Sequence, residues 1–387
     1  MSAAGTWAGG SGRVSLARAT LVHEWRRFLP AVLAVAFSGL LVIVQLGLLL
    51  GMFATVSTIV DRSRADLWVI EGLTVSFDLA RPMPARIEMH LRAHRYVETV
   101  QQLTYVWSDW RRPDGGKVTI FVVGIDVTAR SLSTPTTFAD GLRERLRPLG
   151  SVVIDATDAD KLGVGVGDVA EINGHRVRVA GTTTGIRAVG GADVFASLAT
   201  AALVSPPEHD DAASYFLIKL TDPARSEAVQ AELQPQGEQP PWRILTPGQF
   251  SQASQLYWLG ESGAGAGFAF SAFLALLVGV AITSQTLRGA LLAQVREYAM
   301  LRALGVPTRA LRAVVLEQAL WVGVAGPVVT AALTAAIAFA AGAAQVAILF
   351  SWWGVATTAA FILAIAGASS WLALAPLYAT QPADLLR

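Results

Sequence analysis

Three short stretches of the sequence carry residue types that can bind a metal ion or a phosphate. Glu88, His90 and His94 fall within one predicted helix, and the two histidines, four positions apart, lie on one face, as a metal site needs. No HExxH motif and no obvious fourth ligand accompany them. A solvated helix face is therefore the favoured interpretation, and we expect no metal here.

The other two stretches lack the partners that chemistry would need. The glycines between 163 and 167 are not followed by the Lys-Ser/Thr pair and helix of a phosphate loop, so they predict a turn before a strand at Val169. His209, Asp210 and Asp211 follow two prolines and are best interpreted as a solvated loop. The 387-residue chain has no P-loop motif, no GxSxG motif and no cysteine. We therefore expect neither a catalytic residue nor a cofactor in this chain.

The elements that organise the chain are long runs without charge. Hydrophobic residues make up 53% of the chain and charged residues 15%, against about 25% charged in a typical soluble protein. About 20 apolar residues span the hydrocarbon layer of a bilayer, and the runs predict four transmembrane helices, at 30–56, 263–287, 312–341 and 346–376. The first run is roughly twice as long as the apolar part of a signal peptide, so we expect the protein to keep it.

The distribution of arginine gives the orientation. Residues 1–29, interpreted as a cytoplasmic amphipathic segment, hold four arginines against one glutamate. The loop 288–311 and the residue after it hold five arginines against one glutamate. Basic residues next to spans mark the cytoplasmic side, so this loop and both termini, including the tail 377–387, are predicted to be cytoplasmic. The segment 57–262, with a net charge of −5, then lies outside.

The outer segment mixes strand and helix patterns. Helices are predicted at Met83–Thr99 and Pro223–Leu233, and strands at Leu67–Ile70, Lys117–Val123, Ser151–Ile154, Val169–Ile172, Val177–Ala180, Tyr215–Leu220 and Trp242–Leu245. The two ends of this outer segment are predicted to form an α/β part together, and a β-rich part at about 148–205 is predicted to be inserted between them. The expected fold class is a polytopic α-helical membrane protein with four transmembrane helices and a large extracytoplasmic α+β domain between spans 1 and 2.

Helical patterns flank the outer domain at Val56–Arg64 and Gln249–Leu259, which predicts that spans 1 and 2 extend beyond the membrane. Four glycines separate the second extension from its span: Gly260, Gly263, Gly265 and Gly267. The conformational freedom of glycine makes them a candidate hinge. A small-residue face for helix packing explains them equally well, and the sequence leaves both interpretations open.

The cytoplasmic loop predicts a short amphipathic helix at 290–304, with Gly305 after its end and Pro307 as a stop. Its candidate functional residues are Arg296, Glu297, Leu301, Arg302, Leu304 and Gly305. Such a helix can dock into a groove on a cytoplasmic partner or lie on the lipid surface, and the residues alone do not decide between them. A nucleic-acid partner is not expected, because membrane topology already explains the basic residues.

The stretch from Arg296 to Gly305 resembles the RE-x-x-x-L-[KR]-A-[LIM]-G signature of the MacB/FtsX-type ABC transporter permeases, the type VII ABC superfamily. The ending Pro382–Arg387 is similar to the P-x-x-A-L-R ending of many members, although Leu385 stands where Ala is commoner. The segment Ala65–Ile70 resembles the DevC-like branch, which has no fused ATPase. The resemblance covers nearly the whole chain.

In that family the loop helix is a coupling helix that docks on an ATPase. The resemblance therefore implies that ATP and Mg bind a separate ATPase subunit, that the permease pairs with itself as a homodimer, and that it lies in the bacterial inner (cytoplasmic) membrane. It implies mechanotransmission, in which hydrolysis moves the periplasmic domain and drives export of a periplasmic or outer-leaflet substrate. DevC-like members also work with a periplasmic adaptor (membrane fusion) protein and an outer-membrane channel.

An FtsX-like transmembrane signalling subunit, which regulates an envelope enzyme, is the alternative function. The outer domain of about 200 residues is large for such a regulator, which favours the exporter.

Overall fold

The computed structural model describes residues 25–139, 141–188, 190–206, 212–237, 240–303, 308–343, 348–350, 352–357 and 360. The chain divides into two compact units. We call Met1–Leu50 with Gly267–Arg387 the membrane unit, and Gly51–Ala266 the outer unit.

The first described helix, α1, runs from Trp25 to Asp61 without interruption. It covers the predicted span 30–56 and continues through most of the predicted extension, which confirms that the two form one helix. The segment of this helix from Val32 to Asp61 is long and apolar enough to cross a membrane. Within the membrane unit, the segment 348–350 packs on this helix, where the Leu349 amide donates to the Gly47 carbonyl at 3.1 Å.

The outer unit contains eleven described strands and six short α-helices. The strands are β1 Leu67–Glu71, β2 Met83–Pro84, β3 Val97–Arg111, β4 Lys117–Ile125, β5 Ser151–Asp155, β6 Val169–Ile172, β7 His175–Thr183, β8 Asp193–Ser197, β9 Ala212–Ala213, β10 Tyr215–Leu220 and β11 Trp242–Leu245. The helices are α2 Ile87–Arg92, α3 Leu142–Arg145, α4 Ala159–Leu162, α5 Leu198–Val204, α6 Ser226–Leu233 and α7 Pro247–Leu256. Nine strands form one sheet in the order β11-β1-β10-β3-β4-β8-β5-β7-β6, and β2 pairs with β9.

The long strand β3 belongs to both halves of this sheet. Its first half pairs with β10, up to Leu103 opposite Tyr215, and its second half pairs with β4, from Thr104 opposite Gly124. The last strand, β6, pairs back on β3, with Trp110 opposite Ile172. Six strands therefore close into a ring, and an open edge is removed there.

The apolar residues of the outer unit form three clusters around the sheet. One fills the closed ring and includes Trp110, Val152 and Val194. A second lies under α2 and α6, and the third is an aromatic cluster that includes Trp68, Phe77, Tyr105, Tyr215 and Phe250. Phe77 and Tyr215 stack with ring centroids 5.3 Å apart.

One prediction for the outer domain was wrong, and another was incomplete. The predicted helix Met83–Thr99 is instead a short strand, a six-residue helix and the start of β3, because Val97, Thr99 and Val100 pair with β10. The β-rich insert at 148–205 does supply β5 to β8 and α5, but it does not stand alone. Its strands complete the ring only with β3 and β4, and no strand was predicted over β3.

The other strand predictions are confirmed to within a few residues. The predicted turn between β6 and β7 is also confirmed, since Asn173 and Gly174 both have positive φ, 47° and 87°, with Ile172 opposite His175. Two central residues with positive φ are the mark of a type I′ hairpin turn.

Two long helices follow the outer unit, α8 from Ala264 to Ala303 and α9 from Thr308 to Ala343. Their parts Ala264–Ile282 and Val324–Ala343 are the second and third described helices long and apolar enough to cross a membrane. The predicted fourth span, 346–376, lies mostly outside the described residues, although 352–357 is helical. The predicted tail 377–387 and the segment 1–24 lie outside them entirely.

Helices α1 and α9 pack closely at Gly326. A Cβ built on Gly326 would come within 2.2 Å of the Val35 side chain. One turn further on, the Thr330 hydroxyl donates to the Ala36 carbonyl at 3.2 Å and to the Gly326 carbonyl at 3.0 Å. Small residues and hydroxyl groups are the usual means by which helices approach one another in a bilayer.

Replacing Gly326 with Val should push α1 and α9 apart, since the new side chain would overlap Val35. We expect a loss of about 1–3 kcal/mol, the usual cost of overpacking. The measurement is the unfolding midpoint of the purified full chain in a detergent titration. Gly342→Val is the matched control on the same helix, because no described atom lies within 4 Å of a Cβ at Gly342. Equal midpoints for the two variants would contradict this packing.

Candidate functional site

The end of α1 is anchored to the outer unit by its own backbone and side chains. The Arg62 guanidinium donates to the Gly185 carbonyl at 2.8 Å, and the Arg62 carbonyl accepts from the Thr136 amide at 3.2 Å. The Arg64 amide donates to the Leu132 carbonyl at 2.9 Å. These contacts come from two loops of the outer unit, the one that follows β4 and the one that follows β7, so the end of the first helix is held at two places.

The connection from α1 to β1 is fixed by a half-buried ion pair. Asp66 accepts from the Lys219 ammonium at 2.8 Å with one oxygen and from the Leu220 amide at 2.8 Å with the other. The Trp68 indole donates to the Ser63 hydroxyl at 3.2 Å. The chain therefore enters the sheet in one defined conformation.

Helix α7 follows the last strand of the sheet, β11, and its position is also fixed by several contacts. Thr246 and Gln249 form a capping box at its start. Phe250 is fully buried in the aromatic cluster. The Ser254 hydroxyl accepts from the Phe77 amide at 3.0 Å, and the Gln255 amide donates to the Ser57 hydroxyl of α1 at 3.3 Å.

A single π-helical turn, Tyr257–Glu261, follows α7. The Trp258 indole donates to a carboxylate oxygen of Asp78 at 3.0 Å, and the same oxygen accepts from the Ser76 hydroxyl. The 3₁₀ turn Phe77–Leu79, which carries Asp78, is held in turn by the Tyr215 hydroxyl, which donates to the Phe77 carbonyl at 2.6 Å. Burial, with the charge of Asp78 adding to it, raises the pKa of Tyr215 well above 10, so the donor stays protonated.

The glycines predicted as a candidate hinge have distinct environments. Gly260 lies in the π-turn, and Gly263 has φ of 78°, a left-handed conformation that separates this turn from α8. A Cβ built on Gly265 would lie only 2.0 Å from the Leu259 carbonyl oxygen. Gly267, by contrast, has no described atom within 4 Å of a Cβ. Close backbone packing thus requires glycine at Gly265 and not at Gly267.

The predicted coupling residues fall at the far end of α8. Arg296, Glu297, Leu301 and Arg302 belong to this helix, whereas Leu304 and Gly305 lie outside the described residues. The sequence predicted a span ending at 287 and a separate loop helix at 290–304. The structure has one continuous helix of 40 residues, which at 1.5 Å per residue is about 60 Å long.

The histidines of the first stretch in the sequence have structural roles. The His90 ring packs against Trp242 with centroids 6.0 Å apart, and His94 contacts Glu232 at 2.9 Å. In the described part of the chain there is no group of three or more His, Asp or Glu side chains that could hold a metal ion.

Family models match two successive parts of the chain. The MacB-like periplasmic core domain matches residues 28–236, which is more than half of the chain, and the FtsX-like permease C-terminal domain matches residues 269–382. The chain belongs to the MacB/FtsX family of ABC-type permeases. It is therefore a membrane protein with a periplasmic or extracellular domain. The FtsX-like permeases are non-catalytic transmembrane subunits of ABC systems, and membership implies a partner ATPase.

Three solved structures are each similar to about half of this MacB/FtsX-type chain. The periplasmic region of MacB from Actinobacillus actinomycetemcomitans is 11% identical, with a TM-score of 0.33, and the match covers 50% of this chain and 94% of that one. The extracellular domain of the noncanonic ABC-type transporter YknZ from Gram-positive bacteria is 12% identical, with a TM-score of 0.32, over 46% and 99%. A permease domain from Porphyromonas gingivalis is 14% identical, with a TM-score of 0.31, over 47% and 91%. No curated protein matches the sequence.

Replacing Trp258 with Phe should loosen the π-turn, because the variant keeps an aromatic ring but loses the hydrogen bond to Asp78. Hydrogen bonds to charged groups contribute about 1.5–3 kcal/mol. We expect faster amide hydrogen exchange over Tyr257–Ser262 in the purified full chain. Trp107→Phe is the control, since Trp107 is a largely exposed tryptophan on β3. Unchanged exchange in the Trp258 variant would show that this bond does not hold the turn.

Proposed function

We propose that this chain is the membrane-spanning permease subunit of an ABC exporter that works by mechanotransmission. In this proposal a separate cytoplasmic subunit binds ATP and Mg, and its hydrolysis cycle moves the outer domain of the permease. The outer domain then drives export of a periplasmic or outer-leaflet substrate. The observation that carries the proposal is the unbroken helix α8, which joins the glycine-rich segment before it to the coupling residues at its end.

A continuous helix suits this role because it resists compression and bending more than a jointed one. In a bilayer each broken backbone hydrogen bond would go unsatisfied, so a spanning helix tends to move as a rod. Arg296, Glu297, Leu301, Arg302, Leu304 and Gly305 are proposed to contact the ATPase. A push there would travel along α8 toward Gly263 and the π-turn.

The proposed orientation rests on the arginine counts. Both termini and the segment around Arg296 are placed in the cytoplasm of a bacterium with the protein in its inner membrane, and the outer domain is placed in the periplasm. The permease is proposed to act as a homodimer. The DevC-like resemblance of Ala65–Ile70 supports a periplasmic adaptor and an outer-membrane channel as further partners.

Replacing Leu301 with Asp should weaken the docking of the ATPase, because a charge would enter an apolar contact. We expect a several-fold fall in the ATPase that copurifies with the permease from membranes. Leu149→Asp is the matched control, since Leu149 is an exposed residue of the outer domain. If Leu301→Asp copurifies as well as Leu149→Asp does, residues 296–305 are not the docking face, and the proposed coupling role is wrong.

Replacing Gly265 with Ala should impair the transmission of movement, because the added Cβ would displace the Leu259 carbonyl and alter the π-turn. The chain has no cysteine, so a single spin label can be placed at an engineered cysteine in place of the exposed Leu149. In the reconstituted complex, the label should show an ATP-dependent change in the distance between the two subunits.

We expect Gly265→Ala to reduce that distance change while ATP hydrolysis continues, and Gly267→Ala to leave it as in the unmodified chain. An equal response in both variants would exclude Gly265 from the hinge. A label that shows no distance change with ATP in the unmodified complex would count against mechanotransmission itself.

A further inference from the structure

Two aspartates lie side by side in the interior of the outer unit. Strands β5 and β8 are antiparallel, with Val153 opposite Phe195 and Ile154 opposite Val194. The next step of this register brings Asp155 opposite Asp193, and residues directly opposite one another point to the same face with Cβ atoms about 4.5–5.5 Å apart. Asp155 is 0% exposed and Asp193 is 2% exposed.

Both carboxyl oxygens of Asp155 have backbone partners. One oxygen accepts from the Thr157 amide at 2.9 Å, and the other accepts from the Ile186 amide at 2.9 Å. These amides are therefore not available to Asp193.

Asp193 has a different environment. Its described hydrogen-bond partner is the Tyr105 hydroxyl, which lies 3.4 Å from one carboxyl oxygen. The other titratable groups that act on it are all acidic: Asp155 on β5, Asp158 in the 3₁₀ turn after β5, and Asp78 in the turn Phe77–Leu79.

The nearby basic groups do not compensate Asp193. The Lys161 ammonium donates to the Gly191 carbonyl at 2.7 Å, and Lys161 and Arg187 act on Asp158. Across β5 from Asp193, the buried Thr183 hydroxyl has no hydrogen-bond partner among the described residues. A second negative charge beside Asp155 would therefore be buried without a counter-ion, which proteins avoid by protonation.

We propose that Asp155 and Asp193 form a proton-binding pair, in which Asp193 must hold a proton for the outer domain to reach its full stability. The pair makes this domain responsive to the pH of the compartment that surrounds it. The electrostatics agree with the geometry: burial first, and the charge of Asp158 next, raise the pKa of Asp193 from 3.8 to about 8.

The direction of the pH effect follows from proton linkage. Between about pH 4 and pH 8 the folded domain holds a proton on Asp193 that the unfolded chain has released. The stability that this proton supports is complete below about pH 4 and is lost as the pH rises through about 8. One linked proton changes the unfolding equilibrium constant by up to about tenfold for each pH unit in that window.

The first test measures unfolding of the outer domain in the full chain, reconstituted in nanodiscs, by pulse proteolysis in urea between pH 5 and pH 9. The urea concentration at the unfolding midpoint should fall as the pH rises to about 8. Above that pH, the contribution of Asp193 to this fall should end. Asp193→Asn should remove that fall. Asp160→Asn, at an exposed aspartate of α4, should keep it. Parallel pH profiles in the Asp193 and Asp160 variants would overturn the proposal.

A second test does not depend on the folding of Asp193→Asn. Infrared difference spectra of the same nanodisc sample should show a protonated carboxyl that persists at pH 7 and disappears near pH 8. Asp155→Asn should shift that disappearance to lower pH, because the charge of Asp155 that raises the pKa of Asp193 is gone. The absence of a protonated carboxyl at pH 7, or an unmoved midpoint in Asp155→Asn, would show that no such pair exists.

Discussion

A helix inside a bilayer must satisfy its own backbone hydrogen bonds, since the hydrocarbon offers no water to replace them. This constraint shapes the chain. Helix α8 keeps its α-helical form from Ala264 to Ala303, through its whole apolar part and beyond. The departures from α-helix, at Tyr257–Glu261 and Gly263, come before the apolar run begins. Conformational freedom is thus confined to a short segment in which water and side chains can satisfy exposed backbone groups.

The segments that enter and leave the outer domain differ in how they are held. After α1 the chain is fixed by bonds to two loops, by the Asp66–Lys219 pair and by the strand pairing of β1. After α7 the chain passes through a π-turn, a form that is rare and often associated with functional sites. The Trp258–Asp78 bond holds this turn together with Ser262, whose hydroxyl donates to the Trp258 carbonyl at 2.8 Å. The two junctions therefore differ in backbone form, because only the second contains a π-turn. An asymmetry of this kind suits the proposed mechanism, in which one connection supports the domain and the other changes shape.

The sequence predicted local elements well and long-range pairing poorly. Apolar runs and strand patterns are properties of neighbouring residues, so α1, β1, β4, β10 and β11 were all foreseen. Strand β3 was missed because its halves serve different partners, and its polar residues interrupt any simple alternation. The ring is closed by Trp110 and Ile172, which are 62 positions apart, and no local pattern reports such a contact.

For the candidate site, the sequence likewise revealed the local features and not the long-range contacts. The glycines were visible in the sequence, but the requirement for glycine at Gly265 comes from the Leu259 carbonyl and could be found only in three dimensions. The Trp258–Asp78 bond joins residues 180 positions apart and left no signal in the sequence. The continuity of α8 was also missed, because Arg288 ends the charge-free run and suggested that a helix ended there.

The two units bury polar groups by different means, and this difference bears on where pH can act. At the contact between α1 and α9 the buried polar group is the neutral Thr330 hydroxyl, which donates to backbone carbonyls and does not titrate in the accessible range. In the outer unit the buried groups include Asp155, whose carboxyl oxygens accept from the backbone amides of Thr157 and Ile186. Those amides are thus already engaged, and burial raises the pKa of the nearby Asp193 to about 8. The described helix contact in the membrane unit is thus insensitive to protons, whereas the proposed Asp155–Asp193 pair links the charge state of a carboxyl group to the stability of the outer domain.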